Sequence, residues 1–238
     1  MKGPATTADC IPRRFLLDTE MWQNVCNRHN MRVRVEMLPT VDNIFEPIPQ
    51  NVDDDRLLRM RCDSQSLHFY GDISRFLAQR VTGFETLSLL DVGSRTGAGT
   101  ALLRLLHHPL AFTRLKFDPV VGLDLNPDVL RIIGKEFKDI SAVCDDIFNL
   151  EENSYDVVVC SHTIEHLPEI APFVAQLEKI ARRYIVLACP VNERLPASDG
   201  HIQIITTETF AELGYTDVEV YESFHFHNGL CGLAFKKL

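Results

Sequence analysis

From about residue 67 onward, short apolar runs alternate with amphipathic stretches, and this rhythm constrains the fold more than any other feature of the chain. The runs are LSLLDVG (87–93), VVGLDL (120–125), SAVCDD (141–146), YDVVVCS (155–161) and RYIVLACP (183–190). Continuous apolar strands of this length suit a parallel sheet covered on both faces. Helical patterns fall between them. GTALLRLLHH follows the first run, DVLRIIGKEFK the second and PEIAPFVAQLEKIARR the fourth, while TETFAELG comes after the fifth and is closed by Gly214. Asn126 is positioned as an N-cap with Pro127 at the first helical position. DVEVYESFHF and GLCGLAFKKL then flank His227, Asn228 and Gly229, and Asn-Gly is a strong hairpin signal. A doubly wound α/β sheet of about seven strands is expected, mostly parallel and ending in an antiparallel strand.

Residues 1–65 differ and read as an N-terminal extension that serves as a lid segment, with residues 66–238 as the main domain. MWQNVCNRHNM suggests a short helix and RVRVEML a strand, followed by a connection rich in proline and acid. HHPLAFTRLKFDP lengthens the link into the second strand and reads as a surface loop. The 45% apolar and 24% charged composition is that of an ordinary globular protein, large enough to need no metal or disulfide for its core. Seven scattered cysteines without a C-x-x-C pair, several inside apolar runs, read as buried thiols in a reducing compartment. No signal peptide or membrane-spanning apolar run is visible, so a cytoplasmic protein without membrane insertion is expected. A net charge of −9 opposes the phosphate attraction on which nucleic-acid binders depend. Arg28, Arg32 and Arg34 alternate with Val33 and Val35 as the wet face of a strand would, so no nucleic-acid partner is expected.

LLDVGSRTGAGT ends the first strand and opens the first helix, where glycines admit close backbone approach and a helix N-terminus favours negative charge. Its spacing departs from G-x-G-x-x-G, which argues against a nicotinamide-dependent oxidoreductase. Three carboxylates, Asp91, Asp124 and Asp146, fall at the carboxyl ends of three successive strands, and in register they would line one crevice.

The chain resembles class I S-adenosylmethionine-dependent methyltransferases over roughly residues 66–238, in particular the small-molecule group related to ubiquinone-biosynthesis enzymes. LLDVGSRTG is similar to the family's first motif, VVGLDLNPDVL to its second-strand motif, and CDDIFNLEENSYDVVVCSHTIEHL to its adenine and fourth-strand region. The resemblance implies a Rossmann-like fold with S-adenosyl-L-methionine as cofactor. It implies that Asp91 and the loop Gly93, Ser94, Arg95 and Gly97 hold the methionine end, with Ser161 approaching it. Asp124, followed by Leu125, would hold the ribose, and Asp146 with Ile147 the adenine. One position departs from the family pattern: Arg95 stands where the middle glycine is usual, and arginine lacks glycine's freedom at positive φ.

His162, Glu165 and His166 spell H-x-x-E-H, a zinc-peptidase signature that needs both histidines on one helix. An apolar strand precedes the string and Pro168 follows it, which places the helix after the motif; Glu178 and Glu208 are the third-ligand options, neither singled out. No metal ligand is therefore assigned. The resemblance implies instead that Ser161 and His162 approach the methionine moiety and that Glu165 and His166 orient the next helix. His162 and His166 are the candidate catalytic bases, with a structural histidine as the competing reading for each, and His201 is a further candidate. His225 and His227 read as structural, and Tyr70 borders the acceptor site or simply packs. The expected activity is methyl transfer to O, N or C of a small-molecule acceptor. A non-catalytic binding module on the same scaffold is the alternative, and a homodimer is one option for the assembly.

Overall fold

The computed structural model describes residues 54–193, 200–223 and 229–238, apart from the side chains of residues 54 and 128–130. The helix and strand expected before residue 50, the arginines 28, 32 and 34, and His225 and His227 with Asn228 lie outside the described residues.

Helix α1 (Asp54–Arg80) leads into β1 (Thr86–Val92), α2 (Ala98–Leu106), β2 (Lys116–Asp124), α3 (Pro127–Glu136) and β3 (Ser141–Cys144). There follow β4 (Tyr155–Ser161), α4 (Ile170–Ile180), β5 (Ala181–Val191), α5 (Thr207–Glu212), β6 (Asp217–Ser223) and β7 (Gly229–Lys237). The sheet order is β3-β2-β1-β4-β5-β7-β6, with β7 antiparallel to both of its neighbours and the other pairings parallel. This is a Rossmann-like fold, and its strand order reverses between β1 and β4. A crevice outside the strand ends is expected at that switch point.

Alternation along the strands explains the two layers. Leu89, Val157, Val159 and Val186 face a core shared with Phe69, Ile73, Phe76 and Leu77 of α1 and Leu103 of α2. Leu90, Val158, Cys160 and Ile185 face the opposite core with Val174 and Leu177 of α4 and Phe210 of α5. Cys160, Cys189 and Cys231 are free, buried thiols, as expected for those three. Tyr215 follows Gly214, whose φ of 81° closes α5. There the Tyr215 N–H bonds the Phe210 carbonyl (2.9 Å) and the Gly214 N–H the Ala211 carbonyl (3.0 Å), so the predicted glycine stop is present.

Three boundaries differ from expectation. Helix α1 runs through residue 65, so the border placed there falls inside one continuous helix. Only its second half carries the apolar i, i+4, i+7 spacing of Phe69, Ile73 and Phe76, and the polar first half hides the start. Strand β2 begins at Lys116 within the stretch read as loop. Leu87 pairs with Phe117 but Leu89 with Val120, so β2 carries one extra residue there, and this bulge takes up Pro119, which has no N–H to donate. Helix α4 stops at Ile180, and Arg182 and Arg183 belong to β5. Arg182 binds Asp156 (2.8 Å) and the carbonyls of Asn153 (2.9 Å) and Ser154 (3.0 Å), which draws the chain into the sheet.

Candidate functional site

The loop after β1 is built from three left-handed residues, Gly93 (φ 78°), Arg95 (φ 50°) and Gly97 (φ 77°). A Cβ on Gly93 would lie 2.2 Å from Thr163 Oγ1, and one on Gly97 would lie 2.4 Å from Ile133 Cγ1, so both glycines are required by contact as well as by φ. Arg95 adopts the left-handed conformation despite its side chain, at a cost of about 1–2 kcal/mol for an L-residue. Hydrogen bonds hold the loop there. The Gly93 and Ser94 N–H groups donate to the Leu123 carbonyl (2.8 and 3.1 Å). Thr96 Oγ1 donates to Asp63 Oδ1 (2.6 Å), a buried contact from α1 that sequence reasoning missed.

Asp124 ends β2, and its carboxylate accepts from the main-chain N–H of Arg95 (Oδ2, 3.0 Å) and of Asn126 (Oδ1, 2.9 Å). It therefore stands against the glycine loop, as expected from strand order. Leu125 beside it is 71% exposed. Asp146 caps a 3-10 turn by accepting from the Phe148 N–H (3.1 Å). Ile147, expected against an adenine ring, is 4% exposed and lies in the core facing α4, whereas Phe148 is 57% exposed. Phe148 and Leu125 thus leave large apolar surfaces open at the carboxyl ends of β2 and β3, where a flat base would be accommodated.

Asp91 is fully buried in β1, and its oxygens accept from Tyr70 Oη (2.7 Å) and from Thr100 Oγ1. Burial raises its pKa to about 6, against the opposing pull of the Thr100 and Tyr70 hydrogen bonds. The residue expected at a ligand's methionine end therefore already joins α1, β1 and α2, and Tyr70 packs inside.

At the end of β4 the H-x-x-E-H string separates into two parts. His162 has φ 52°, stacks on Phe69 with 3.8 Å between centroids, and pairs Nδ1 with Ser161 Oγ (2.9 Å). Its Nε2 is buried with no hydrogen-bond partner among the described residues. Burial, reinforced by His201, Arg95 and His166, lowers its pKa to about 3, so the imidazole is neutral and a weak base. Residues Ile164–His166 form a 3-10 turn, and α4 starts only at Ile170, so the string does not form the single helix of a zinc peptidase. Glu178 is paired with Lys236 (2.7 Å) and Glu208 lies in the first turn of α5. Glu165 and His166 turn instead toward His201, whose ring lies 4.7 Å from that of His166. Glu165 is fully buried, and burial pushes its pKa to about 8. His201 Nδ1 contacts Glu193 Oε2 at 2.6 Å. Phe69, Phe148 and Glu193 were not singled out in the sequence, because nothing local marks them; helix α1 brings in the first, and the segments after β3 and β5 the other two.

Residues 90–187 match a family described as a methyltransferase domain. Over those residues the chain carries a methyltransferase domain. Among solved structures it is similar to a SAM-dependent methyltransferase from Aquifex aeolicus, at 15% identity over 77% of this chain and 99% of that one, with a TM-score of 0.53. It is also similar to magnesium protoporphyrin IX methyltransferase from Synechocystis PCC 6803 with bound SAH, at 13% identity over 79% and 89%, with a TM-score of 0.55. A third is the [4+2]-cyclase SpnF, at 12% identity over 81% and 98%, with a TM-score of 0.53. No curated protein sequence matches the chain. The likeness to these distant structures speaks for the fold alone. Among the described residues no helix is long and apolar enough to cross a membrane.

Proposed function

We propose that this methyltransferase transfers the methyl group of S-adenosylmethionine to a small-molecule acceptor. The observation that carries the reading is the meeting of the glycine loop and Asp124 at the switch-point crevice, beside Ser161 and His162. The cofactor supplies an electrophilic sulfonium methyl. A carboxylate offers about four acceptor sites, so Asp124 keeps capacity for ribose hydroxyls beyond its two main-chain donors. Leu125 and Phe148 would cover the adenine, with Asp146 at its edge. The loop Gly93–Gly97 and Ser161 would border the methionine end, behind which Asp91 braces the strand. Neutral His162 keeps Nε2 without a partner among the described residues, and positioning carries most of the work in a displacement that neutralises charge. His166 stands next to His201.

Arg95, where the family usually has glycine, is the residue that bears most on the non-catalytic alternative. Its φ of 50° keeps the turn that glycine usually provides, which removes the backbone objection to cofactor binding. Isothermal titration with S-adenosylmethionine, with Asp124→Ala as control, tests the site, and S-adenosylhomocysteine release across an acceptor panel tests turnover. Micromolar-range binding lost in the variant is expected. Absence of heat and of thermal stabilisation at millimolar cofactor would overturn the reading.

A further inference from the structure

We infer that Glu165, His166 and His201 form a binding site for a first-row divalent transition cation beside the cofactor crevice. One ligand atom from each side chain lies within 4.8 Å of the others, and His201 Nε2 stands 4.0 Å from Glu165 Oε1. Metal bonds of 2.0–2.2 Å set neighbouring ligand atoms roughly 3–4 Å apart, so small side-chain rotations close the cluster.

Two observations beyond proximity point to a cation. Glu165 is fully buried, and neither of its carboxylate oxygens has a hydrogen-bond partner among the described residues. A carboxylate kept from water without a donor is costly and calls for a proton or a metal. Both imidazoles, moreover, are held through Nδ1 by groups that only accept: His166 by the Gly200 carbonyl (2.9 Å) and His201 by the Glu193 carboxylate (2.6 Å). Each Nδ1 therefore donates, and in the neutral ring Nε2 carries the lone pair. A carboxylate holding a histidine by one nitrogen while the other faces a cation is the usual outer support of a metal ligand. The elements also explain how the sequence hid the cluster. His162, itself the left-handed residue, stacks on Phe69 instead, and His201 arrives from the segment after β5, tied down by the Ile202 and Gln203 N–H groups on the Glu165 carbonyl (2.9 and 3.1 Å).

Two imidazoles and one carboxylate suit Zn²⁺, Mn²⁺, Fe²⁺ or Co²⁺ better than Mg²⁺ or Ca²⁺. Three protein ligands leave coordination positions open for an oxygen or nitrogen of the acceptor, whose bound hydroxyl the cation would acidify. That role rests on the methyltransferase reading; cation binding itself does not.

The test uses the tag-free full chain, stripped with chelator and titrated with Co²⁺ while visible ligand-field absorption is recorded. One saturable equivalent is expected in the native protein and in a His108→Ala control. Glu165→Gln and His201→Ala should abolish the signal, and Glu193→Gln should weaken binding about 10–100-fold. Far-UV circular dichroism and thermal melting of Glu165→Gln, which keeps the shape of the side chain, separate loss of ligand from loss of fold. No cobalt spectrum in the native chain, or an unchanged one in folded Glu165→Gln, overturns the site. S-adenosylmethionine titration of the metal-free protein is read separately and bears on the methyltransferase reading alone.

Discussion

The main-chain N–H of Arg95 donates to Oδ2 of Asp124 over 3.0 Å, so the loop after β1 is fastened to the end of β2 by a residue in the left-handed conformation. The Arg95 side chain takes no part in that link. Asp124→Ala should therefore weaken S-adenosylmethionine binding tenfold or more, since hydrogen bonds to a charged group contribute about 1.5–3 kcal/mol. Arg95→Gly should hold affinity within about threefold. Isothermal titration of both variants checks this, and equal losses in the two would place the guanidinium, rather than the main chain, at the centre of binding.

Gly97→Ala should destabilise the domain by about 2–4 kcal/mol, combining left-handed strain with overpacking against Ile133. The shift of the urea midpoint measures it. A loss under about 0.5 kcal/mol would mean the loop relaxes at little cost.

Asp91 titrates near pH 6 in the fold against an ordinary value of 3.8, and this fixes the sign of its pH effect. With the folded pKa raised, the carboxyl's contribution to stability is full below about pH 4 and is lost as pH rises through 6. Asp91→Asn carries no such term. The stability of the native chain relative to this variant should thus decline between pH 4 and pH 7 in a urea series. A flat difference would show that Tyr70 and Thr100 hold the carboxylate ionised throughout.

Asp156 behaves in the opposite sense. The Arg182 hydrogen bond, with help from Ser88, holds its pKa down at about 2 against the pull of burial. The stabilisation is present above about pH 4 and fades as pH falls toward 2. Asp156→Asn should lower the melting temperature at pH 7 and narrow that gap at pH 2.5, as scanning calorimetry would record. An equal gap at both pH values would assign the effect to packing.

Much of this architecture could be read from the chain because parallel strands buried on both faces announce themselves as apolar runs. Tyr155–Ser161 emerged with its bounds as read, since polar residues flank both ends of that run. The positions of Asp91, Asp124 and Asp146 followed from strand ends alone. Their partners did not. Whether Asp91 faces a ligand or Tyr70 depends on how α1 packs, and the polar first half of α1 gives no periodic signal. Pro119 disguised the start of β2, because a bulge is a pairing event and leaves no local pattern. The cluster at Glu165 was obscured for a related reason: its third member is supplied by a segment that reaches it through main-chain bonds rather than by sequence spacing.

The order β5-β7-β6 gives the sheet a seam. Strand β6 pairs with β7, and β7 joins the other five strands through its ladder with β5. Any local opening along that ladder frees both strands together, so amide exchange should show them as one cooperative unit. What such an opening uncovers is the long, largely buried β5, whose unpaired edge would be open to pairing with another chain. The antiparallel ladder between Tyr184–Val191 and Leu230–Lys237 therefore also guards the folded protein against self-association.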